Sequence, residues 1–310
     1  MVRMPTAAQR IVDQLVLLGA DMAFGVPGES YLAVLDALVD TPELAFITCR
    51  HEGGAAFAAE AHAKLTGRPG IVMVTRGPGA TNASIGIHTA QQDETPLLVL
   101  VGQIPRHQRG RDAFQELDLR AVFGSMCKWV HELDDPRRAA DAVARAWAIA
   151  SSGRPGPVVL GLPEDVLGEE CSAPLVAAAP PPATSVPADT IEEVRALLRA
   201  ARRPLAIVGG SRWSDEAVAL LPNALPDVPL VAGFRRQDLV DHRLPSFAGA
   251  LGLGADPELT ARVQAADLVL AIGDRLDDST TNGFTLLDPT GHDAPLVHVQ
   301  PAHPYETRAI

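Results

Sequence analysis

Residues 44–82 read LAFITCRHEGGAAFAAEAHAKLTGRPGIVMVTRGPGATN. A short apolar run (residues 44–48) is followed by an alanine-rich stretch of helical length (53–65). A second apolar run (70–75) then leads through a glycine loop into another helical stretch (80–90). This order is typical of parallel strands joined by a crossover helix. The segment therefore predicts an α/β fold.

The same alternation continues on both sides of this segment. It predicts further strands at residues 22–25, 97–101 and 158–162, and further helices at residues 7–18, 31–39 and 136–150. We therefore expect one α/β domain with a parallel sheet over residues 1–172.

The chain then changes composition. Residues 173–188 are rich in proline and alanine, which favours an extended linker over a strand or a helix. A second α/β domain is expected over residues 189–310. Its predicted elements are a helix at 191–201 and strands at 205–208, 268–272 and 296–299.

Charge and composition narrow the function. The 310 residues include 26 lysines and arginines and 38 aspartates and glutamates, a formal net charge of −12. This charge repels nucleic acid and anionic membrane surfaces. No apolar run approaches the ~20 residues that a membrane span needs, and the cysteines form no CxxC pair. We expect a cytoplasmic protein that acts on a small molecule, with no metal site.

Three loops follow predicted strands and carry candidate binding residues. Residues 25–28 (GVPG) form a tight turn that brings backbone close to a ligand, although strand-to-helix geometry alone also explains such a turn. Residues 50–54 (RHEGG) place Glu52 at a helix start, where it either stabilises the helix dipole or serves a ligand. Residues 75–82 (TRGPGATN) offer helix-start amides but match neither the P-loop nor the GxGxxG fingerprint.

Six motifs occur in order along the first domain. They are GVPG, RHEGGAAF, TRGPGATN, TPLLVLVGQ (residues 95–103), DAFQE (112–116) and SGRPGPVVLGLPED (152–165). This series resembles the pyrimidine-binding domain of thiamine-diphosphate-dependent enzymes, most nearly the acetolactate synthase large subunit and its relatives. The resemblance implies thiamine diphosphate as cofactor and a 2-oxo acid as substrate.

The resemblance also implies roles for individual residues. Glu52 matches the glutamate that hydrogen-bonds N1′ of the aminopyrimidine and exchanges a proton with it. The residues that match the turn and the loop shaping the same pocket are Val26, Pro27, Gly28, Pro78 and Asn82. Gln115, implied as catalytic with Glu52, and Phe114 match the substrate side, where an amide hydrogen-bonds the 2-oxo acid. For Phe114, an ordinary core position is the alternative.

One segment departs from acetolactate synthase. Where that enzyme reads V-P-K-D, this chain reads Leu162, Pro163, Glu164 and Asp165. An acid thus replaces a base beside the approach to the active site, which puts the acetolactate substrate pair in doubt. Decarboxylases and other carboligases share this domain.

The second half resembles the central domain of the same enzymes, a Rossmann-like fold that holds FAD in acetolactate synthase. The fold class is therefore α/β, with two Rossmann-like parallel-sheet domains. Residues that loosely match flavin-contacting segments are Gly209, Gly210, Gly273, Asp274 and Arg275, with Arg275 available to a phosphate. Residues 249–254 lack the histidine found there in the synthases. FAD is thus allowed but not required.

In this family a third domain, with a Gly-Asp-Gly motif, binds the diphosphate and its Mg²⁺. The chain has no Gly-Asp-Gly. The expectation is a carboligase or decarboxylase segment, either a fragment or half of a split enzyme whose partner supplies that domain. The alternatives are a nucleotide (FAD)-binding module and a dimerisation module without thiamine catalysis. Small and apolar residues at 53–59 and 77–87 favour a homodimer or a higher oligomer.

Overall fold

The computed structural model describes residues 4–177, 185–287 and 294–300. The chain divides into two compact units, Met1–Pro181 and Pro182–Ile310. Part of the predicted linker, residues 178–184, lies outside the described residues, so its bounds at 173–188 remain a prediction.

The first unit is a parallel sheet covered by helices on both faces. Its described strands are β1 (Met22–Gly25), β2 (Ala45–Thr48), β3 (Gly70–Val74), β4 (Leu97–Gln103), β5 (Trp129–Glu132) and β6 (Pro157–Pro163). They pair in the order β2-β1-β3-β4-β6-β5, and each pairing is parallel. Its described α-helices are α1 (Ala7–Leu17), α2 (Leu32–Val39), α3 (Glu52–Thr66), α4 (Gly77–Gln92), α5 (Leu119–Phe123), α6 (Ala139–Ser151) and α7 (Glu164–Leu167). This confirms the predicted fold class for the first domain.

The central strands are buried on both faces. Along β4, Leu98 and Leu100 pack into the core beneath α1, α2 and α6, whereas Val99 and Val101 pack into the core beneath α3 and α4. A strand covered on both faces needs apolar residues at every position, which explains the continuous apolar runs of β3, β4 and β6. The rigid layers hold the strand ends in fixed positions.

The second unit is also a parallel α/β sheet. Its described strands are β7 (Pro204–Val208), β8 (Leu230–Ala232), β9 (Phe247–Ala250), β10 (Leu268–Ile272) and β11 (Leu296–Val299), in the order β11-β10-β7-β8-β9. Its described α-helices are α8 (Ala188–Ala200), α9 (Asp215–Ala224) and α10 (Pro257–Gln264). Within the described ranges of the chain, no helix is both long enough and apolar enough to cross a membrane.

Some element bounds differ from those predicted. Helix α4 begins at Gly77, three residues before the predicted start at 80, because proline is tolerated in a helix's first turn. The predicted helix at 31–39 begins with a 3₁₀ turn over Glu29–Tyr31. Strands β5, β8 and β9 were not predicted. Of these, β5 and β9 are edge strands and β8 has only three residues.

Candidate active site

The three candidate loops of the first unit meet at one edge of the sheet. The GVPG turn follows β1, Glu52 follows β2, and the TRGPGATN loop follows β3. These three strands are neighbours and parallel, so their carboxyl ends lie side by side. The carboxyl edge is where α/β sheets bind ligands.

Glu52 is the first residue of α3, and one oxygen of its carboxylate accepts a hydrogen bond from a neighbouring side chain. The Asn82 side chain donates from Nδ2 to Glu52 Oε2 at 2.9 Å. The preceding residue caps the helix, since His51 Nδ1 accepts from the Gly53 amide at 3.0 Å. Glu52 Oε1 has no hydrogen bond to any residue that the structure describes. One oxygen is therefore fixed and the other is available to a ligand.

Gly79 keeps the space beside this carboxylate open. A Cβ added at Gly79 would lie 3.0 Å from Thr75 Cγ2 and 3.5 Å from Glu52 Oε1. Any side chain here would therefore enter the space next to Oε1. Pro78, in the same first turn of α4, is exposed at this edge. The open space beside Gly79 and Glu52 Oε1 suits a flat ring that approaches the backbone closely.

The buried side chain of Tyr31 holds the GVPG turn in place through a hydrogen bond. Its hydroxyl donates to the carbonyl of Val26, and Met73 O lies 3.3 Å from the same hydroxyl. The side chain is 2% exposed, and burial, together with the nearby charge of Glu52, raises the pKa of Tyr31. Sequence reasoning missed this residue, because it lies outside the six motifs and reads as part of a helix.

The loop that follows the neighbouring strand β3 leaves no room for a side chain at position 28. A Cβ added there would lie 2.6 Å from Thr75 Cβ, closer than real Cβ contacts. The turn after β1 therefore rests directly on the loop after β3. This contact joins Val26, Pro27 and Gly28 to the loop that carries Pro78 and Asn82.

The DAFQE segment is connected to the same loop through its backbone. The carbonyl of Gln115 accepts from the Gly77 amide at 3.1 Å, and Gln115 has a positive φ of 64°. Glu116 fixes the segment by accepting from the amides of Gly110 at 2.6 Å and Ala113 at 3.1 Å. These backbone hydrogen bonds hold the pKa of Glu116 below its ordinary value. Gln115 is thus brought to the edge that carries Glu52.

Within the DAFQE segment, Phe114 faces outwards and Gln115 is half-buried. Phe114 is 75% exposed, so the alternative of an ordinary core position is wrong for this residue. The Gln115 amide has no hydrogen bond to any described residue of the chain. Both side chains are available on the side where the substrate is expected.

A cleft of about 570 Å³ lies beside this segment, at the carboxyl ends of β4 and β5. Gln103, only 2% exposed, donates to the carbonyl of Leu117 at 2.8 Å and fixes the cleft wall. Arg109 forms an ion pair with Glu132 within the lining. Gln103 ends the TPLLVLVGQ motif, but the motif alone predicts no role for it.

Glu164, the acid in place of the family's base, is ion-paired. Arg76 donates from a terminal guanidinium nitrogen to Glu164 Oε2 at 2.7 Å. The same guanidinium lies 3.9 Å from Glu29 Oε1. The Arg76 side chain is 11% exposed and the Glu164 side chain 46%. The ion pair of Arg76 thus connects the loop after β3 with the residue that follows β6.

In the second unit, the residues matched to flavin contacts meet at one edge. Gly209 and Gly210 follow β7, and Gly273, Asp274 and Arg275 follow the adjacent β10. The side chain of Arg275 donates to Asp277 Oδ2 at 2.9 Å.

Comparison with known families agrees with this architecture. Residues 5–122 match the model of the thiamine pyrophosphate enzyme N-terminal TPP binding domain. Residues 191–306 match that of the thiamine pyrophosphate enzyme central domain. The chain belongs to the thiamine pyrophosphate enzyme family.

Its relatives narrow the family to one type. The acetolactate synthase large subunit of Mycobacterium tuberculosis is 35% identical over 306 residues, 94% of this chain and 48% of that protein. Acetolactate synthase of Bacillus subtilis is 36% identical over 275 residues, 86% of this chain and 47% of that protein. The mitochondrial enzyme of Schizosaccharomyces pombe is 34% identical over 308 residues, 92% of this chain and 45% of that protein. The chain is thus acetolactate synthase-like and spans about half the length of these relatives.

Proposed function

We propose that this chain supplies the pyrimidine-binding and central domains of an enzyme that decarboxylates or ligates 2-oxo acids with thiamine diphosphate. The observation that carries the proposal is the Glu52 carboxylate, held by Asn82 at 2.9 Å with its second oxygen available. It lies beside Gly79, whose lack of a side chain keeps the space next to Glu52 Oε1 open. The names of the relatives support a 2-oxo acid as substrate.

The residues at the edge fit the aminopyrimidine ring of the cofactor. Bound thiamine diphosphate supplies a carbanion equivalent at its thiazolium ring. Glu52 Oε1 would hold and return a proton at N1′ of the pyrimidine, while Asn82 keeps the carboxylate oriented. The backbone of Val26, Pro27 and Gly28 and the loop with Pro78 would line the ring.

The substrate side is assigned to the DAFQE segment. The amide of Gln115 would hydrogen-bond the carboxylate or the oxo group of the 2-oxo acid, since an amide both donates and accepts. Phe114, exposed beside it, would exclude water from the reacting carbon.

The diphosphate and its Mg²⁺ are assigned to a domain outside residues 1–310, in the same polypeptide or in a separate one. Cytoplasmic location stays a prediction from the sequence. No described contact and no family match favours the alternatives of a FAD-binding or dimerisation module without thiamine catalysis.

The test uses the complete enzyme with its diphosphate-binding domain. With thiamine diphosphate and Mg²⁺ added, we expect CO₂ release from at least one member of a panel of 2-oxo acids. The matched control is the same protein without added cofactor. Saturating cofactor binding with no CO₂ release from any 2-oxo acid would contradict the proposed reaction.

We also propose that the chain self-associates through α3 and α4. Gly86 brings the two helices together within the chain, because a Cβ added there would lie 2.5 Å from Ala56 Cβ. This packing explains part of their small-residue composition. Phe57 and Ile85 nevertheless remain 40% and 58% exposed on the same helices. Exposed apolar side chains beside small residues suit a helix-packed interface.

Sedimentation velocity at several protein concentrations tests this association. We expect at least a dimer, and Ile85→Glu should shift it towards monomer because it introduces a charge into an apolar contact. Val39→Glu, which changes an 80% exposed valine on α2, should leave the dimer intact. A strictly monomeric wild-type chain at high micromolar concentration would show that these helices pack only within the chain.

A further inference from the structure

The second sheet has one place where a nucleotide would be expected. From β7 the chain proceeds to β8 on one side, and β10 is later added on the other side. The connections thus reverse direction between β7 and β10. Open α/β sheets bind nucleotides in the crevice at this reversal, with the diphosphate against a glycine turn. Gly209 after β7 and Gly273 after β10 border that crevice.

The carboxylate of Asp274 occupies this crevice. Asp274 is 4% exposed. A Cβ added at Gly209 would lie 2.0 Å from Asp274 Oδ2, and one added at Gly233 would lie 1.8 Å from the same oxygen. The oxygen therefore sits against the two glycine backbones that a phosphate would have to approach.

Asp274 is held in this position on several sides. Its Oδ1 accepts from the Leu276 amide at 2.7 Å. Its main-chain carbonyl accepts from His298 Nε2 at 2.7 Å and from Gln300 Nε2 at 3.3 Å. The carboxylate and the backbone are both fixed, so the side chain is not a mobile gate.

Gly273 also packs closely against a neighbouring strand end within the domain. A Cβ added at Gly273 would lie 2.5 Å from the carbonyl oxygen of Gly209, and that carbonyl accepts from Trp213 Nε1 at 2.8 Å. The ends of β7 and β10 thus meet backbone to backbone. Lack of a side chain at Gly209, Gly233 and Gly273 is explained without any ligand.

The charges at this edge are also unsuited to a diphosphate. Arg275, the expected phosphate partner, donates to Asp277. Burial raises the pKa of Asp274, although the charges of Arg275 and His298 act in the opposite direction. Ser211 Oγ is buried without a partner, but one hydroxyl can hydrogen-bond a water and cannot neutralise two phosphate charges.

We infer that the Asp274 carboxylate is the internal occupant of the crevice in which a dinucleotide's diphosphate would lie, and that the central domain therefore binds no FAD. Gly209, Gly273 and Asp274 form a packed strand-end cluster, with Gly210 and Arg275 next to them in the chain. The domain keeps the fold of a flavin-holding relative and fills the cofactor's place with its own side chain.

The test titrates the 310-residue chain with FAD and then removes the occupant. FAD fluorescence should be unchanged by wild-type protein. Asp274→Ala should lower Tm and leave a space the size of one carboxylate group, so formate should raise its Tm by several degrees through ligand linkage. Chloride at equal ionic strength should not. The matched control is Asp278→Ala, which removes an exposed carboxylate from the same loop.

Each outcome decides the inference. Restoration of Tm by formate in Asp274→Ala alone, with no FAD binding to wild type, supports it. Saturable micromolar FAD binding to wild type overturns it. Equal formate effects in the two variants, or none in Asp274→Ala, show that Asp274 is not the occupant. Should Asp274→Ala not fold, Asp274→Asn, which keeps the volume, must bind neither FAD nor formate; binding of either overturns the inference.

Discussion

Substitution of Glu52 by glutamine separates chemistry from folding in the proposed site. The change keeps one side-chain oxygen, which can still accept from Asn82 Nδ2. It removes the negative charge at the first residue of α3. A charge at a helix N-terminus contributes about 0.3–1 kcal/mol. The free energy of unfolding should therefore fall by no more than about 1 kcal/mol.

The effect on catalysis should be much larger. A carboxamide cannot exchange a proton with N1′, and general acid–base catalysis contributes roughly 10²–10⁴ in rate. At about 1.36 kcal/mol for each factor of ten, this loss equals about 2.7–5.4 kcal/mol in the activation barrier. The expected kinetic loss thus exceeds the expected loss of stability severalfold.

Deuterium exchange at C2 of the bound cofactor measures this step directly. It is followed in the complete enzyme by acid quench and NMR, beside urea unfolding of each protein. The matched control is Glu43→Gln, an exposed carboxylate just before the opposite end of the same strand, β2. Exchange in Glu52→Gln within about twofold of wild type would refute the assignment of the proton step to Glu52.

Two further predictions concern stability. Gly28→Ala would place a Cβ 2.6 Å from Thr75 Cβ and should lower the free energy of unfolding by about 1–3 kcal/mol; Gly54→Ala, with nothing within 4 Å of its added Cβ, should not lower it, and equal effects in urea titrations would contradict the close approach. Burial raises the pKa of Asp274, so its contribution to stability is full below the unfolded pKa and is lost as pH rises through the folded pKa. Asp274→Asn lacks this loss, so its stability relative to wild type should increase as the pH rises above the unfolded pKa of an aspartate, about 3.9, and a pH-independent difference in urea titrations would count against a raised pKa.

Sequence patterns predicted the continuously apolar strands β3, β4 and β6 and missed β5, β8 and β9. Strands β3, β4 and β6 have apolar residues throughout because helices cover both faces. Strand β5 reads WVHE, in which Trp129 and His131 stack at 4.8 Å on one half-buried face. Its composition therefore does not differ from that of a loop.

The residues of the candidate site were also predicted only in part from the sequence. Glu52, Gly28 and the 75–82 loop were predicted as site residues because each belongs to a short motif at a strand end, and parallel strands bring such ends together. Tyr31 was not found, because its role depends on contacts through space with Val26 and Met73.

The Arg76–Glu164 pair changes how the departure from the V-P-K-D pattern should be understood. Glu164 alone would turn a positive position into a negative one, but Arg76 donates to it at 2.7 Å. Because the Glu164 side chain is 46% exposed, such a pair contributes only about 0–1 kcal/mol. Glu29, 3.9 Å from the same guanidinium, leaves these three side chains with one net negative charge. A lysine at position 164 would instead face Arg76 directly, so positions 76 and 164 must be changed together when substrate preference is compared with that of acetolactate synthase.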